Sequence, residues 1–273
     1  MRLRQVLWLF AALPLISDSS AQMFKPSMRE QVKIGKRASE EIRKKEHALP
    51  DDDPRVKLLR EIGERLVAQI PEKERKDKPW VYTFDVIQSR QINAFALPGG
   101  PVFFYTGLLD RLTTVDQIAG IVGHEIVHVR KEHWARDYSK TLEQQGLILL
   151  GGLLLGVNST LMQGASLVET YGLALPRSRH AETESDKIGY QMMVDAGYNP
   201  QGMIDVFRML NETAGSKPPE FMSSHPDEKK RIRALEEFVA KNPKAFPPQR
   251  PIPVEARSPY LAFLQVRGFV VGR

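Results

Sequence analysis

The chain has 273 residues, no cysteine and a formal net charge of +6 scattered along its length. Without cysteine there are no disulfides and no thiol catalysis, and any zinc ligand must be His, Asp or Glu. The modest positive excess suits an anionic membrane surface, and no motif for nucleic acid accompanies it, so peripheral membrane contact is expected and nucleic acid is not.

Arg2 and Arg4, an apolar stretch from Val6 to Ile16 and small residues at Ser19 and Ala21 predict a secretory signal peptide over 1–21, cut after Ala21. The apolar stretch is too short for a membrane span. The chain is therefore expected to be exported, into a periplasmic space, in contact with a membrane surface. The roughly 250 residues that remain suffice for one sizeable domain. It is placed over 22–242, followed by a proline-rich tail over 243–273.

From Ser27 to about His47, Met28, Val32, Ile34 and Ile42 are thinly spaced among charges, which predicts an amphipathic, solvent-facing helix. Asp53 and Pro54 cap a second helix carrying Leu58, Leu59, Ile62, Leu66 and Ile70, ending before Pro71. Trp80 to Ile87 reads as a strand, and Ile92–Leu97 and Val102–Tyr105 as two more around Pro98-Gly99-Gly100-Pro101. Together they predict a small antiparallel sheet. Its exposed edge is placed at Asn93, Ala94, Phe95 and Ala96, where an extended polypeptide could add as a further strand. A sheet that merely packs on the next helix is the alternative.

That next helix, capped by Thr114 or Asp116 and running to about His133, holds Gly123-His124-Glu125-Ile126-Val127-His128. Side chains four apart share a helix face, so His124 and His128 can bind one zinc ion with Glu125 beside its open side. The competing reading is a buried helix whose histidines are satisfied by hydrogen bonds. His133 falls roughly 140° round the helix from His128, out of reach of the same metal. Lys131 and Trp134 stand where the longer H-E-x-x-H-x-x-G-x-x-H pattern needs Gly and His, so the third ligand must come from elsewhere.

Between this helix and the next, Gly146 to Val157 is free of charge but shorter than a span. It reads as a buried helix, or as part of a movable, membrane-leaning cover over the cleft. Ser178 to Asp186 then opens a helix on which Glu182 and Asp186 share a face, while Glu184 points about 200° away from Glu182. Glu182 is assigned to zinc and Asp186 to a hydrogen bond that fixes a ligand histidine. Two further helices follow, one from Pro200 through Leu210 and one capped by Asp227 and carrying Ile232 and Leu235.

Taken in order, Asn93-Ala94-Phe95-Ala96-Leu97-Pro98-Gly99-Gly100, Thr106-Gly107-Leu108-Leu109, the H-E-x-x-H, Ser178-Arg179-x-x-Glu182-x-Glu184-x-Asp186, Ala196-Gly197-Tyr198-Asn199-Pro200, and Ser224-His225-Pro226 with Arg231-Ile232 resemble the successive motifs of the HtpX and BepA type zinc metallopeptidases. These gluzincins also include the CaaX prenyl proteases, and the resemblance spans roughly 30 to 240. It implies an α+β, mostly α-helical, zincin-like fold with the small antiparallel sheet beside the H-E-x-x-H helix. It also implies one zinc ion on His124, His128 and Glu182, with Glu125 as general base. Ser185 stands where the family usually has Ala. By the same resemblance His225 lies near the active site, as an inhibitory fourth ligand or an oxyanion stabiliser, and Arg231 binds substrate or pins its loop.

The expected activity is zinc-dependent endopeptidase cleavage of unfolded or misfolded envelope polypeptides. A zinc-bound chaperone or scaffold with a latched site is the main alternative, and a basic envelope-binding module without catalysis is another.

Overall fold

The computed structural model describes residues 25–154, 177–213, 219–226, 228–241 and 245–257, with only the backbone of 144–154. The expected signal peptide, the cap at Asp227, most of the segment from 146 to 176 and the end of the tail lie outside the described residues.

Helix α1 (Met28–Lys45) begins at Ser27, whose side chain accepts from the Glu30 N–H while the Glu30 carboxylate accepts from the Ser27 N–H. Its buried stripe is Gln31, Gly35, Ala38, Ser39 and Ile42 rather than the Met28, Val32 and Ile34 that hydropathy suggests. Small side chains let it lie against the turn after Leu97, where a Cβ on Gly35 would overlap the Pro98 carbonyl. Helix α2 (Pro54–Val67) is capped by Asp53, whose Oδ1 accepts from the Arg55 N–H at 2.9 Å, and buries Val56, Leu59, Ile62 and Leu66. A short α3 (Glu72–Asp77) follows.

Strands β1 (Thr83–Ile87), β2 (Ala94–Ala96) and β3 (Pro101–Tyr105) form one sheet in the order β1-β3-β2. β2 and β3 are antiparallel, Phe95 opposite Phe103. β1 and β3 are parallel, from Thr83 opposite Pro101 to Ile87 opposite Tyr105, so the expected antiparallel sheet is a mixed one. The cause is the segment after Ile87, which carries the chain to the far edge, so that the tight turn at Pro98-Gly99-Gly100 returns β3 into the middle. All of β3 is buried, as a central strand covered on both faces should be.

After a single turn, α4 (Thr106–Leu109), comes the helix that organises the domain, α5 (Val115–Arg130). Thr114 caps it in a capping box with Gln117, and every one of its residues is buried. It packs on α2, on β2 and β3, and on α7 (Arg179–Asp195) and α8 (Gln201–Thr213). The expected continuation to His133 does not occur. Glu132 takes a left-handed φ of 53°, which ends α5 and starts α6 (His133–Leu154) in a new direction. Two short-range elements close the site: α9 (Glu220–Ser224) and α10 (Glu228–Lys241).

The described part of the proline-rich tail is extended yet docked. Its Arg250 C=O accepts from the Val115 N–H at 2.9 Å and its Ile252 N–H donates to the Thr113 C=O at 3.0 Å, while Ile252 and Ala256 are buried in the main core. Packing thus runs past the boundary placed at 242, because a chain that proline keeps extended still offers backbone groups to a neighbouring loop. Among the described residues no helix is long and apolar enough to cross a membrane.

Candidate metal centre

The site is assembled where α7 crosses α5. Gly123 and Gly189 meet at the crossing, and a Cβ on Gly189 would stand 3.0 Å from the His124 backbone nitrogen. This close approach lets a side chain as short as Glu182 reach across to the imidazoles of the facing helix. His124, His128, Glu182 and His225 each present one ligand atom, all within 4.8 Å of one another, and all four are buried. His124 Nε2 lies 2.9 Å from His128 Nε2 and 3.2 Å from His225 Nδ1. Glu182 Oε2 lies 3.4 Å from His124 Nε2, and Oε1 lies 3.4 Å from His128 Nε2.

Glu125, one residue along α5, is buried as well, and its Oε1 has no hydrogen-bond partner although His225 Nε2 is 3.4 Å away. A buried carboxylate oxygen without a donor is costly. Beside three converging imidazoles and a second carboxylate, it marks a place built for a cation and its water. The donor set of nitrogen and oxygen atoms fits zinc.

Two groups lie beneath the imidazoles. Asp186 Oδ1 is 2.9 Å from His124 Nδ1. Arg231, expected either to bind substrate or to pin its loop, is 4% exposed and lies under the site. Its guanidinium donates to both Asp186 oxygens at 2.7 and 2.6 Å, pairs with Glu182 at 2.8 Å, and lies over the Phe207 ring at 4.2 Å. It neutralises two buried carboxylates that would otherwise repel each other.

Electrostatics follow this packing. Burial would raise the Glu182 pKa, but His225, Arg231 and His124 outweigh it and hold the group well below the usual carboxylate range. Burial is the main reason that His128 is held neutral, well below an ordinary histidine. Burial and the Arg231 charge oppose a proton on His124, yet its hydrogen bonds to Asp186 and Glu182 prevail and lift its pKa to about 9. An ionised Glu182 and a neutral His128 are the forms that can ligate a metal.

The strand edge lies beside this centre. In the β2–β3 ladder the Asn93 C=O accepts from the Tyr105 N–H at 3.0 Å and the Leu97 N–H donates to the Pro101 C=O at 2.7 Å. By alternation, the backbone groups of Ala94 and Ala96 point away from β3, and no strand pairs with β2 on that side among the described residues. The Ala94 side chain is buried in the core, whereas Asn93 and Phe95 look into a cleft of about 340 Å³ with Ile42 and Tyr105, rimmed by Glu46 and Glu220. Short of Ala94, the edge is touched by α9: the Phe221 N–H donates to the Ile92 C=O at 3.2 Å, and the Phe221 ring stacks on His225 at 4.5 Å.

Sequence reasoning missed the part played by His133 and Glu184. His133 is 1% exposed, with Nδ1 2.8 Å from His128 Nδ1 and Nε2 3.0 Å from Glu184 Oε2. Burial drops its pKa to about 4. Burial would raise Glu184, but hydrogen bonds to His133 and Lys131 bring it down to about 2. On a straight α5, His133 would point elsewhere, and the only hint of a break was the polar Lys131-Glu132.

The model of peptidase family M48 matches residues 55–239, more than half of the chain. Similar curated proteins include the mitochondrial metalloendopeptidase OMA1 of Schizosaccharomyces pombe, 31% identical over 70% of this chain and 55% of that protein. Others are the putative beta-barrel assembly-enhancing protease of Vibrio cholerae, 28% identical over 78% of this chain and 43% of that protein, and the Escherichia coli beta-barrel assembly-enhancing protease, 32% identical over 55% and 33%. The chain thus spans about half or less of the length of these relatives. The family match, these relatives and the H-E-x-x-H helix agree with the resemblance read from the motifs: the chain belongs to peptidase family M48.

Proposed function

We propose that this chain cleaves internal peptide bonds of unfolded or loosely folded exported polypeptides, with His124, His128 and Glu182 holding one zinc ion. The observation that carries the reading is the orphaned Glu125 carboxylate beside the convergent ligand atoms. Zinc, when bound there, lowers the pKa of a water towards 7 and polarises a carbonyl. Glu125 takes the proton of the attacking water and delivers it to the leaving amine, a role for which a carboxylate without a competing donor is free. Asp186 keeps a proton on His124 Nδ1, so that Nε2 is left to ligate. The outward backbone of Ala94 and Ala96 supports an extended substrate pairing along β2, with alternate side chains entering the cleft over Phe95 and Asn93. The basic start and apolar stretch of residues 2–16 support export, and the +6 charge supports contact with an anionic membrane surface.

One observation favours a second state of the same site. His225 brings Nδ1 within 3.2 Å of His124 Nε2 and Nε2 within 3.4 Å of Glu125, so with His225 in place four protein ligands would close the metal and block the general base. This is a latch, held by α9 through Phe221. Hydrolysis of unfolded casein by the purified chain, with and without a zinc chelator, tests both readings. Chelator-sensitive cleavage is expected, faster in His225→Ala. If zinc binds at one per chain and neither protein cleaves, the endopeptidase reading falls and the scaffold reading takes its place.

A further inference from the structure

The two candidate ligand histidines of α5 are supported differently. His124 Nδ1 meets a carboxylate directly, Asp186 Oδ1 at 2.9 Å. His128 meets another imidazole: its Nδ1 lies 2.8 Å from His133 Nδ1, the rings edge to face at 4.8 Å between centroids. Behind His133 comes a carboxylate after all, Glu184 Oε2 at 3.0 Å from Nε2, itself paired with Lys131 at 3.2 Å and Arg136 at 3.5 Å.

This arrangement depends on a break in the helix. Glu132 adopts φ 53°, uncommon for a residue with a side chain, and its carboxylate is gripped from α1 and the segment before it, by Gln31 Nε2 at 2.8 Å and Lys25 Nζ at 2.9 Å. The turn puts His133, first residue of α6, back over His128. Two nitrogens 2.8 Å apart must share one hydrogen. If His128 is to offer Nε2 to a metal, its hydrogen sits on Nδ1 and His133 Nδ1 must accept it. His133 then carries its own hydrogen on Nε2, where Glu184 accepts it. Ser185 Oγ, 3.4 Å from His133 Nδ1, is the one other polar side chain in reach among the described contacts, and it is too distant to compete.

We propose that His133 is a positioning residue: together with Glu184 it forms a relay that fixes the tautomer and orientation of His128, so that His128 presents Nε2 to the metal without His133 ligating it. The three carboxylates of Glu182-x-Glu184-x-Asp186 thereby share one task on opposite faces of α7. Glu182 ligates, Asp186 orients His124 directly, and Glu184 orients His128 through one imidazole. This rests on the reading of His128 as a ligand.

The test is the zinc dissociation constant of the full chain, measured by competition with a chromophoric chelator, for the wild type, His133→Asn, His133→Gln, Glu184→Gln and His128→Ala. The Asn amide oxygen falls near the place of His133 Nδ1 and can still accept from His128, whereas the longer Gln side chain carries its polar atoms towards the Nε2 position. A relay predicts that His133→Asn stays within a few-fold of the wild type and that His133→Gln weakens zinc binding about tenfold to a hundredfold. Glu184→Gln should fall between them. A residue that only fills space would treat Asn and Gln alike, so equal dissociation constants for those two overturn the relay. His128→Ala separates the two claims: it should abolish stoichiometric zinc, and if it binds as tightly as the wild type, the ligand reading fails rather than the relay alone.

Discussion

The two faces of α5 are equally buried and differ in everything else. One carries Val122 and Ile126, members of the main apolar core. The other carries His124, Glu125 and His128, all buried, all facing groups that only polar partners can satisfy. The apolar face tolerates exchange among side chains of similar volume, because burial energy is non-directional. On the polar face His124 and His128 depend on named polar neighbours, and a missing partner leaves a charge or a donor in a dry interior. One helix thus supplies both the stability of the domain and its chemistry, by separate means.

The comparison breaks most visibly at Glu125. Glu125→Gln keeps the shape and removes only the basicity, so peptide hydrolysis should fall about 10²- to 10⁴-fold while zinc stoichiometry and melting temperature stay put. Casein cleavage beside a zinc assay reads this directly, and activity within tenfold of the wild type would remove Glu125 from the mechanism. Next comes Arg231→Leu, which strands Asp186 and Glu182 without their cation. Breaking a buried pair from one side costs about 3–5 kcal/mol, and denaturant unfolding should record a loss of that order. A loss under 1 kcal/mol would mean that the two carboxylates find other partners.

The pH response sharpens the contrast further. His124 is lifted from 6.5 to about 9 in the absence of metal, so its proton stabilises the metal-free fold fully below pH 6.5 and this contribution is lost as pH rises through 9. Zinc must displace that proton. Calorimetry at pH 7.5 in buffers of different ionisation enthalpy should therefore find about one proton released per zinc bound, and zinc affinity should rise up to about tenfold per pH unit towards pH 9. No proton release would place His124 neutral before metal arrives. The apolar face carries no such signature.

What the sequence made legible was local. His124 and His128, and Glu182 and Asp186, are pairs four apart on helices, and periodicity alone puts each pair on one face. The caps at Asp53 and Thr114 were equally local. The features that escaped depend on where distant segments meet. The parallel pairing of β1 with β3 requires knowing that β3 inserts between its neighbours. The resemblance singles out Arg231, but that its guanidinium lies under Asp186 depends on how α10 folds back. The turn at Glu132 has neither glycine nor proline to announce it, and its carboxylate is held by Gln31 and Lys25 from another part of the chain. The buried stripe of α1 includes Gly35, Ala38 and Ser39, which hydropathy does not register.

The smallest expected effect belongs to the other face. Ile126 follows Glu125 directly, is fully buried, and points into the main core rather than at the ligands. Ile126→Val removes one methylene and leaves a small cavity, worth about 0.5–1.5 kcal/mol by denaturant unfolding. Because the lost contact is with apolar neighbours, zinc affinity, proton release and turnover should all stay within about twofold of the wild type, after correction for the unfolded fraction. A large change in zinc affinity from this single methylene would show that the two faces are coupled through the position of α5 itself. The tight crossing at Gly123 and Gly189 would then be the place to look, since a shift of a few tenths of an ångström there moves His124 relative to Glu182.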